Sequence, residues 1–201
     1  ETTKIYSVAG ALPENGGLMR TRPFRSPHHS VSSVALIGGG PDPKPGDLSL
    51  AHNGILFLDE MPDFPKASLE VLRQPLEDGS VSISRVRQRV RYPANAMLIA
   101  AMNPCPCGYY GTTLKPCTCS PYQISRYLGR ISGPLLDRID IQIEVQPMNY
   151  KQLTSTKSTG SSKEMCERVI KARNIQTERY KNIGIRCNAQ LPSAWLQKYC
   201  I

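Results

Sequence analysis

The sequence predicts an α/β fold: a mostly parallel sheet core flanked by helices, a β-hairpin insertion, and a small helical piece at the C-terminal end. Three observations predict it. Two continuous apolar runs, GILFL (54–58) and AMLIAAM (96–102), are bounded by turn residues and end in polar groups, the pattern of buried parallel strands. Segments at helical spacing alternate with them. A polar low-complexity tract, TSTKSTGSSK (154–163), then divides the chain.

Taken in order, residues 1–20 combine a short helical segment with a loop rich in Gly and Asn. RPFRSPHHS (22–30) is punctuated by prolines and reads as loop leading into VSSVALIGG. Seven of the nine residues from Gly38 to Gly46 are Gly or Pro, which predicts an exposed loop insertion. GILFL is the first buried strand. KASLEVLRQ follows with Leu69 and Leu72 at helical spacing, and Pro75 is expected to end or kink that helix. VSIS and RVRY form the arms of a hairpin whose tip falls near residues 85–88. AMLIAAMN (96–103) is a second buried strand, a helix covers roughly 121–130, and IDIQIEV (139–145) alternates as a third strand. Ser161-x-x-Glu164 is a capping-box pattern that opens a helix running to about Tyr180, and Pro192 to Tyr199 suggests one more. Trp195 is assigned to the core of this last piece.

The composition, 40% hydrophobic and 20% charged, is that of a water-soluble protein. No apolar run approaches the ~20 residues of a membrane span, and the start lacks the layout of a secretory signal. The expected location is the cytoplasm. The net charge of +9 is unevenly placed: no Asp or Glu occurs from Gly79 to Leu136, a stretch holding Arg85, Arg87, Arg89, Arg91, Lys115, Arg126 and Arg130. Such a stretch favours a polyanionic partner such as nucleic acid, or else a solvated basic surface or an acidic neighbouring subunit. The chain opens on Glu1 without an initiator Met and stops at Ile201 inside an apparent helix, so it is expected to be a fragment of something longer.

Ligands of open α/β sheets gather at the carboxyl ends of strands. Asp59 and Glu60 stand at such an end. There Asp59 could hold Mg²⁺, directly or through water, and Glu60 could orient and deprotonate an attacking water. The alternative is an acidic pair that merely starts a helix. Asn103, ending the next strand, could present its amide to the same water, or serve only as a turn residue before Pro104. Arg138 could reach a nucleotide held by a neighbouring subunit, or pair with Asp137 or Asp140.

GILFLDEMPDF (54–64), LRQPLEDG (72–79), AAMNPCPCGYYG (100–111) and RISGPLLDRIDI (130–141) together resemble the magnesium-chelatase-like branch of the AAA+ ATPases. Within it, RPFRSPHHS and PGDLSLAHNG (45–54) resemble the ComM (YifB-like) group; the likeness is close over about residues 1–150 and loose beyond. The resemblance implies a P-loop-type core over 1–153, a linker over 154–163 and a partial helical lid over 164–201. It makes Asp59 and Glu60 the Walker B pair that binds Mg²⁺ and ATP, Asn103 the sensor-1 residue and Arg138 the arginine finger, a role Arg126 or Arg130 could share. It also implies a homo-hexameric ring with the Gly/Pro-rich loop and the 81–92 hairpin directed toward its pore, acting on DNA in branch migration. One departure is plain. A phosphate loop reads G-x-x-x-x-G-K-[ST], and no Gly-Lys dipeptide occurs here. The chain alone is therefore expected to bind ATP poorly and hydrolyse none, the parent protein being the ATPase.

Two further motifs carry chemistry. Cys105, Cys107, Cys117 and Cys119 form two C-x-C pairs separated by nine residues. Four thiolates in one loop can close a structural Zn²⁺ site, though C-x-C is tighter than the usual spacing; reduced unliganded thiols and disulfides are the other readings. RVRQRVR (85–91) places Arg85 and Arg87 at the hairpin tip and Arg89 and Arg91 on one face of the returning strand. A basic tip can track a phosphate backbone, or simply keep an exposed strand edge soluble. His28 and His29 approach a nucleotide or subunit, or are structural loop histidines. Besides a DNA-remodelling ATPase, a chelatase-type motor that remodels a partner protein and a non-enzymatic zinc- and DNA-binding module fit parts of the pattern.

Overall fold

The computed structural model describes every residue except 13–16, 85–87, 147, 149–159, 186 and 201. Helix α1 (Thr2–Ala9) buries Ile5 and ends on Gly10, whose φ of 69° closes the helix as glycine readily does. The proline-punctuated stretch is not all loop. It contains strand β1 (Phe24–Arg25), paired in parallel with Ile55 and Leu56. A two-residue strand between prolines has no periodicity to announce it. Helix α2 (Ser33–Ile37) is capped by the Ser32 hydroxyl, which accepts from the Ala35 N–H at 3.2 Å.

The Gly/Pro-rich segment departs from expectation. Strands β2 (Gly38–Gly39) and β3 (Lys44–Pro45) form a tight antiparallel ribbon, with Gly38, Pro43, Pro45 and Gly46 buried. A Cβ on Gly46 would run into the backbone of Ile37 and Gly38, so the close approach demands glycine. The buried Tyr92 hydroxyl donates to the Pro43 carbonyl at 2.7 Å and pins the ribbon down. Helix α3 (Asp47–Leu50) follows directly, its Asp47 accepting from Arg25 Nε at 2.8 Å.

Strand β4 (Ile55–Leu58) is the middle of the three-stranded sheet. After a 3₁₀ turn (Met61–Asp63), helices α4 (Lys66–Glu70) and α5 (Arg73–Asp78) replace the single helix the spacing suggested. Pro75 interrupts the helix as expected, four residues upstream, because it has no N–H to offer the Val71 carbonyl. The break falls at Val71–Leu72, and Pro75 sits in the first turn of α5, where no intrahelical N–H bond is needed. Strands β5 (Ser80–Ser84) and β6 (Arg89–Pro93) make the expected antiparallel hairpin. Strand β7 (Met97–Ala100) then pairs in parallel with β4 from Ile55↔Met97 to Leu58↔Ala100, giving the order β1–β4–β7. Helices α6 (Pro121–Leu128) and α7 (Gly133–Leu136) complete the first unit, Glu1–Pro147. The α/β class with a parallel sheet is as the sequence predicts.

The register explains the packing. Leu56 and Leu58 point to one face and, with Leu36, Leu48, Leu69, Leu72 and Leu135, are 0–1% exposed. Each such leucine contributes about 1.5–3 kcal/mol through burial. The opposite face carries Phe24, Ile55, Phe57, Met97 and Ile99. Met97 is 58% exposed and Ile99 40%, so the sheet is deeply buried on one face only, contrary to the expectation from the unbroken apolar runs of β4 and β7. The helices and the β5–β6 hairpin build a single covering layer.

The third strand is absent among the described residues. Residues 139–146 carry no ladder, and Ile141, Ile143 and Val145 are exposed. Alternation marks a segment able to be a strand; pairing with a neighbour makes it one.

In the second unit, Met148–Ile201, helix α8 (Ser162–Arg179) opens on the expected capping box: Glu164 N–H donates to Ser161 Oγ, and Ser161 N–H to Glu164 Oε2. Most of the proposed linker lies outside the described residues. Helix α9 (Leu196–Cys200) matches the last predicted helix. The buried residue here is Tyr180, set edge-on to Tyr199; Trp195 stacks on Tyr199 and is only half-buried, a correction to its expected place in the core.

Candidate functional site

The parallel register carries β4 and β7 to a common carboxyl end. Beyond Leu58, the Ala101 N–H donates to the Leu58 carbonyl at 2.9 Å, and the Met61 N–H donates to the Ala101 carbonyl at 3.0 Å. Asp59 and Glu60 thus leave the sheet beside the segment 101–103, and Asn103 is two residues past this last rung. The two strand-end signals converge on one end of the sheet.

Both carboxylates are exposed, and no Lys or Arg among the described residues engages them. Asp59 Oδ1 accepts the Glu60 N–H at 3.0 Å. Glu60 Oε2 lies 3.7 Å from His29 Nδ1, so His29 rather than His28 faces the acidic pair. Glu60 has a φ of 50°, a left-handed backbone that a glutamate adopts only under the constraint of its surroundings. Exposed hard oxygen donors of this kind suit a magnesium ion.

Helix α6 closes the site from the other side. Tyr127 is its one buried residue, and the backbone of Asn103 lies close enough to favour its phenolate. Burial pushes the Tyr127 phenol up, and the negative charge of Asp63 and Glu60 adds to the rise. Arg130 donates to the Asp63 carboxylate at 3.0 Å and to the Pro62 carbonyl at 3.1 Å, tying the end of α6 to the turn that follows Glu60. Tyr127 was not singled out from sequence. The available signal was Ile124 and Tyr127 at helical spacing in a segment otherwise polar.

Arg138 pairs with Glu77 at 2.6 Å rather than with Asp137 or Asp140. On the hairpin, Arg89 and Arg91 are exposed on the face opposite Val90 and Tyr92, as the alternation predicts, whereas Arg85 and Arg87 lie outside the described residues. The Arg91 Nε donates to Ser80 Oγ at 2.9 Å.

The four cysteines converge. Cys105 and Cys107 sulfurs are 3.4 Å apart, Cys107 and Cys117 3.5 Å, Cys105 and Cys117 3.7 Å, and all four fall within 4.8 Å of one another. All four are free thiols. The Cys107 thiol is lowered to about 5 by N–H groups of Tyr109 and Thr118. At Cys117 the Cys119 N–H acts downward, but burial and the Cys107 and Cys105 sulfurs outweigh it and push the thiol up to about 12.

The family model "Magnesium chelatase, subunit ChlI" matches residues 1–153, and "Magnesium chelatase, subunit ChlI C-terminal" matches 159–201. "Uncharacterized protein YifB" of Salmonella typhimurium is 49% identical over 181 residues, covering 90% of this chain and 35% of that protein. "Competence protein ComM" of Haemophilus influenzae is 49% identical over 182 residues, again 90% and 35%. "Uncharacterized protein Mb2921c" of Mycobacterium bovis is 39% identical over 199 residues, 98% of this chain and 39% of that protein. The chain thus spans little more than a third of the length of these relatives.

Proposed function

The chain belongs to the magnesium chelatase, subunit ChlI, family, and on that premise we propose that it is part of a cytoplasmic, hexameric AAA+ ATPase that remodels DNA. The observation that carries the reading is that Asp59, Glu60 and Asn103 lie at one end of a parallel sheet, with both carboxylates unengaged by any Lys or Arg among the described residues. Asp59 holds the magnesium of an ATP complex, and Glu60 orients and deprotonates the attacking water while Asn103 positions it. Bound Mg²⁺ supplies charge neutralisation on the phosphates. The phosphate loop comes from elsewhere in the parent protein, since this chain has no Gly-Lys dipeptide. Residues 1–153 are the core, 154–163 the linker and 164–201 part of the lid. Arg138 acts on nucleotide held by the next subunit, leaving Glu77 to do so. The four cysteines hold a structural Zn²⁺.

DNA is the proposed substrate because Arg89 and Arg91 face solvent on the hairpin, inside a stretch of sequence free of acids, and because one relative is named for competence. The test is the ATPase rate of the full-length protein with and without single-stranded or forked DNA. Glu60→Gln should retain ATP binding and lower turnover about 10²–10⁴-fold; unchanged turnover removes Glu60 as the base. Stimulation by DNA should vanish when Arg85, Arg87, Arg89 and Arg91 become Ala, whereas hydrolysis indifferent to DNA points to a protein-remodelling motor. In the same assay Arg138→Ala should be inactive alone and recover when mixed with Glu60→Gln subunits.

A further inference from the structure

Residues 104–119 form no helix or strand, yet they join Asn103 to Ser120, the N-cap of α6. A loop of this length without secondary structure ordinarily leaves the element after it poorly placed. Arg130 and the buried Ile131 anchor the C-terminal end of helix α6, while its N-terminal end depends on the loop. The helix is eight residues long and buries Tyr127 alone, well short of the ~12–15 residues at which an isolated helix becomes even marginally stable. Its capping box, with Ser120 and Gln123 exchanging hydrogen bonds, starts the helix but does not fix its position.

The cysteines stand at the two ends of this loop. Cys105 and Cys107 come just after Asn103, and Cys117 and Cys119 just before Ser120. A single tetrahedral zinc with Zn–S of about 2.3 Å sets its sulfurs about 3.8 Å apart. The observed separations of 3.4, 3.5 and 3.7 Å match that edge far better than the ~2.0 Å of a disulfide. Backbone N–H groups already point at the sulfurs, from Tyr110 to Cys105 and from Cys119 to Cys117, each at 3.4 Å, the outer-shell support that metal thiolates use. Gly108, with φ of 80°, lets the first pair turn back, and Cys105 is fully buried. Four soft thiolates around one point select zinc over hard cations.

We infer that a mononuclear zinc on Cys105, Cys107, Cys117 and Cys119 staples the loop shut, and by doing so holds α6, with Tyr127 and Arg130, against Asn103 and the turn after Glu60. The metal is thus a positioning element for the acidic site. No electron transfer is involved: the ion enters as the thiols release their protons. The inference rests on the proposed nucleotide site only for its effect on turnover; metal content and helix protection are independent of it.

The experiment uses full-length protein purified under reducing conditions, with metal analysis and amide hydrogen exchange on the same sample. Close to one zinc per chain is expected. Reversible removal of the metal with a chelator should speed exchange in residues 121–128 at least about tenfold, while residues 55–58 keep their protection as the internal control. Cys119→His retains four ligands and should keep both zinc and protection; a Cys107→Ser/Cys117→Ser variant should lose both. If that variant fails to fold, the chelation of the wild-type protein decides. Iron in place of zinc, no metal at all, or unchanged exchange in α6 after metal removal each overturns the inference. Loss of protection in α6 with turnover unaffected would leave the staple standing and count against the assignment of Asn103 to the nucleotide site.

Discussion

Among single residues, Tyr92 shows how a side chain legible only as a strand residue becomes structural. Its alternation with Arg91 predicts that it faces inward, and it is 8% exposed. Its partner, the Pro43 carbonyl, lies 49 positions away in a ribbon that composition alone paints as open loop. Tyr92→Phe removes the donor and leaves a buried carbonyl without one, which should destabilise the fold by about 1–3 kcal/mol in urea titration. The acidic pair was readable because Asp59 and Glu60 terminate an apolar run. His29 was one of two candidates to approach the site; what sequence could not supply is Tyr127 and the Arg130–Asp63 pair, which come near through the fold.

At the level of elements, what depends on neighbours in sequence was readable and what depends on distant partners was not. The capping box of α8 is contained in Ser161 and Glu164, three residues apart, and the structure has it as expected. None of the residues of α8 is buried, so the cap is a main local support for its first turn. Ser161→Ala should weaken that turn by about 0.5–2 kcal/mol, seen as faster amide exchange at residues 163–166 with little change in the first unit. Residues 139–145 fail for the complementary reason. Ile139, Ile141, Ile143 and Val145 alternate as strand residues do, but a ladder needs a second chain segment beside them. Pro75 was readable because its effect is local: it leaves the Val71 carbonyl without an N–H four residues on, and the break falls at Val71–Leu72.

For the molecule as a whole, the class, the parallel strands β4 and β7 and the hairpin followed from the sequence, while strand β1 and the depth of the sheet did not. Unbroken apolar runs in β4 and β7 promised two covering layers, and one is present, leaving Met97 and Ile99 uncovered. If the hairpin arginines grip single-stranded nucleic acid, each neutralised phosphate adds about 0.7 to the slope of log K against log salt. Replacing Arg85, Arg87, Arg89 and Arg91 with Ala should then flatten that slope by about 3 in the full-length protein, measured by anisotropy across a salt series. An unchanged slope would return the strip to a merely solubilising role.

The backbone of Glu60 has a consequence for evolvability. At φ of 50° the residue sits where a β-carbon is unwelcome, at about 1–2 kcal/mol, and where asparagine is far more comfortable than glutamate. Glu60→Asn should therefore melt higher than the parent, by about 2–4 °C for each kcal/mol relieved, while losing the carboxylate. Selection for heat tolerance alone would drift toward that substitution. A protein that keeps glutamate there declares, by its lower melting point, that the acid is wanted.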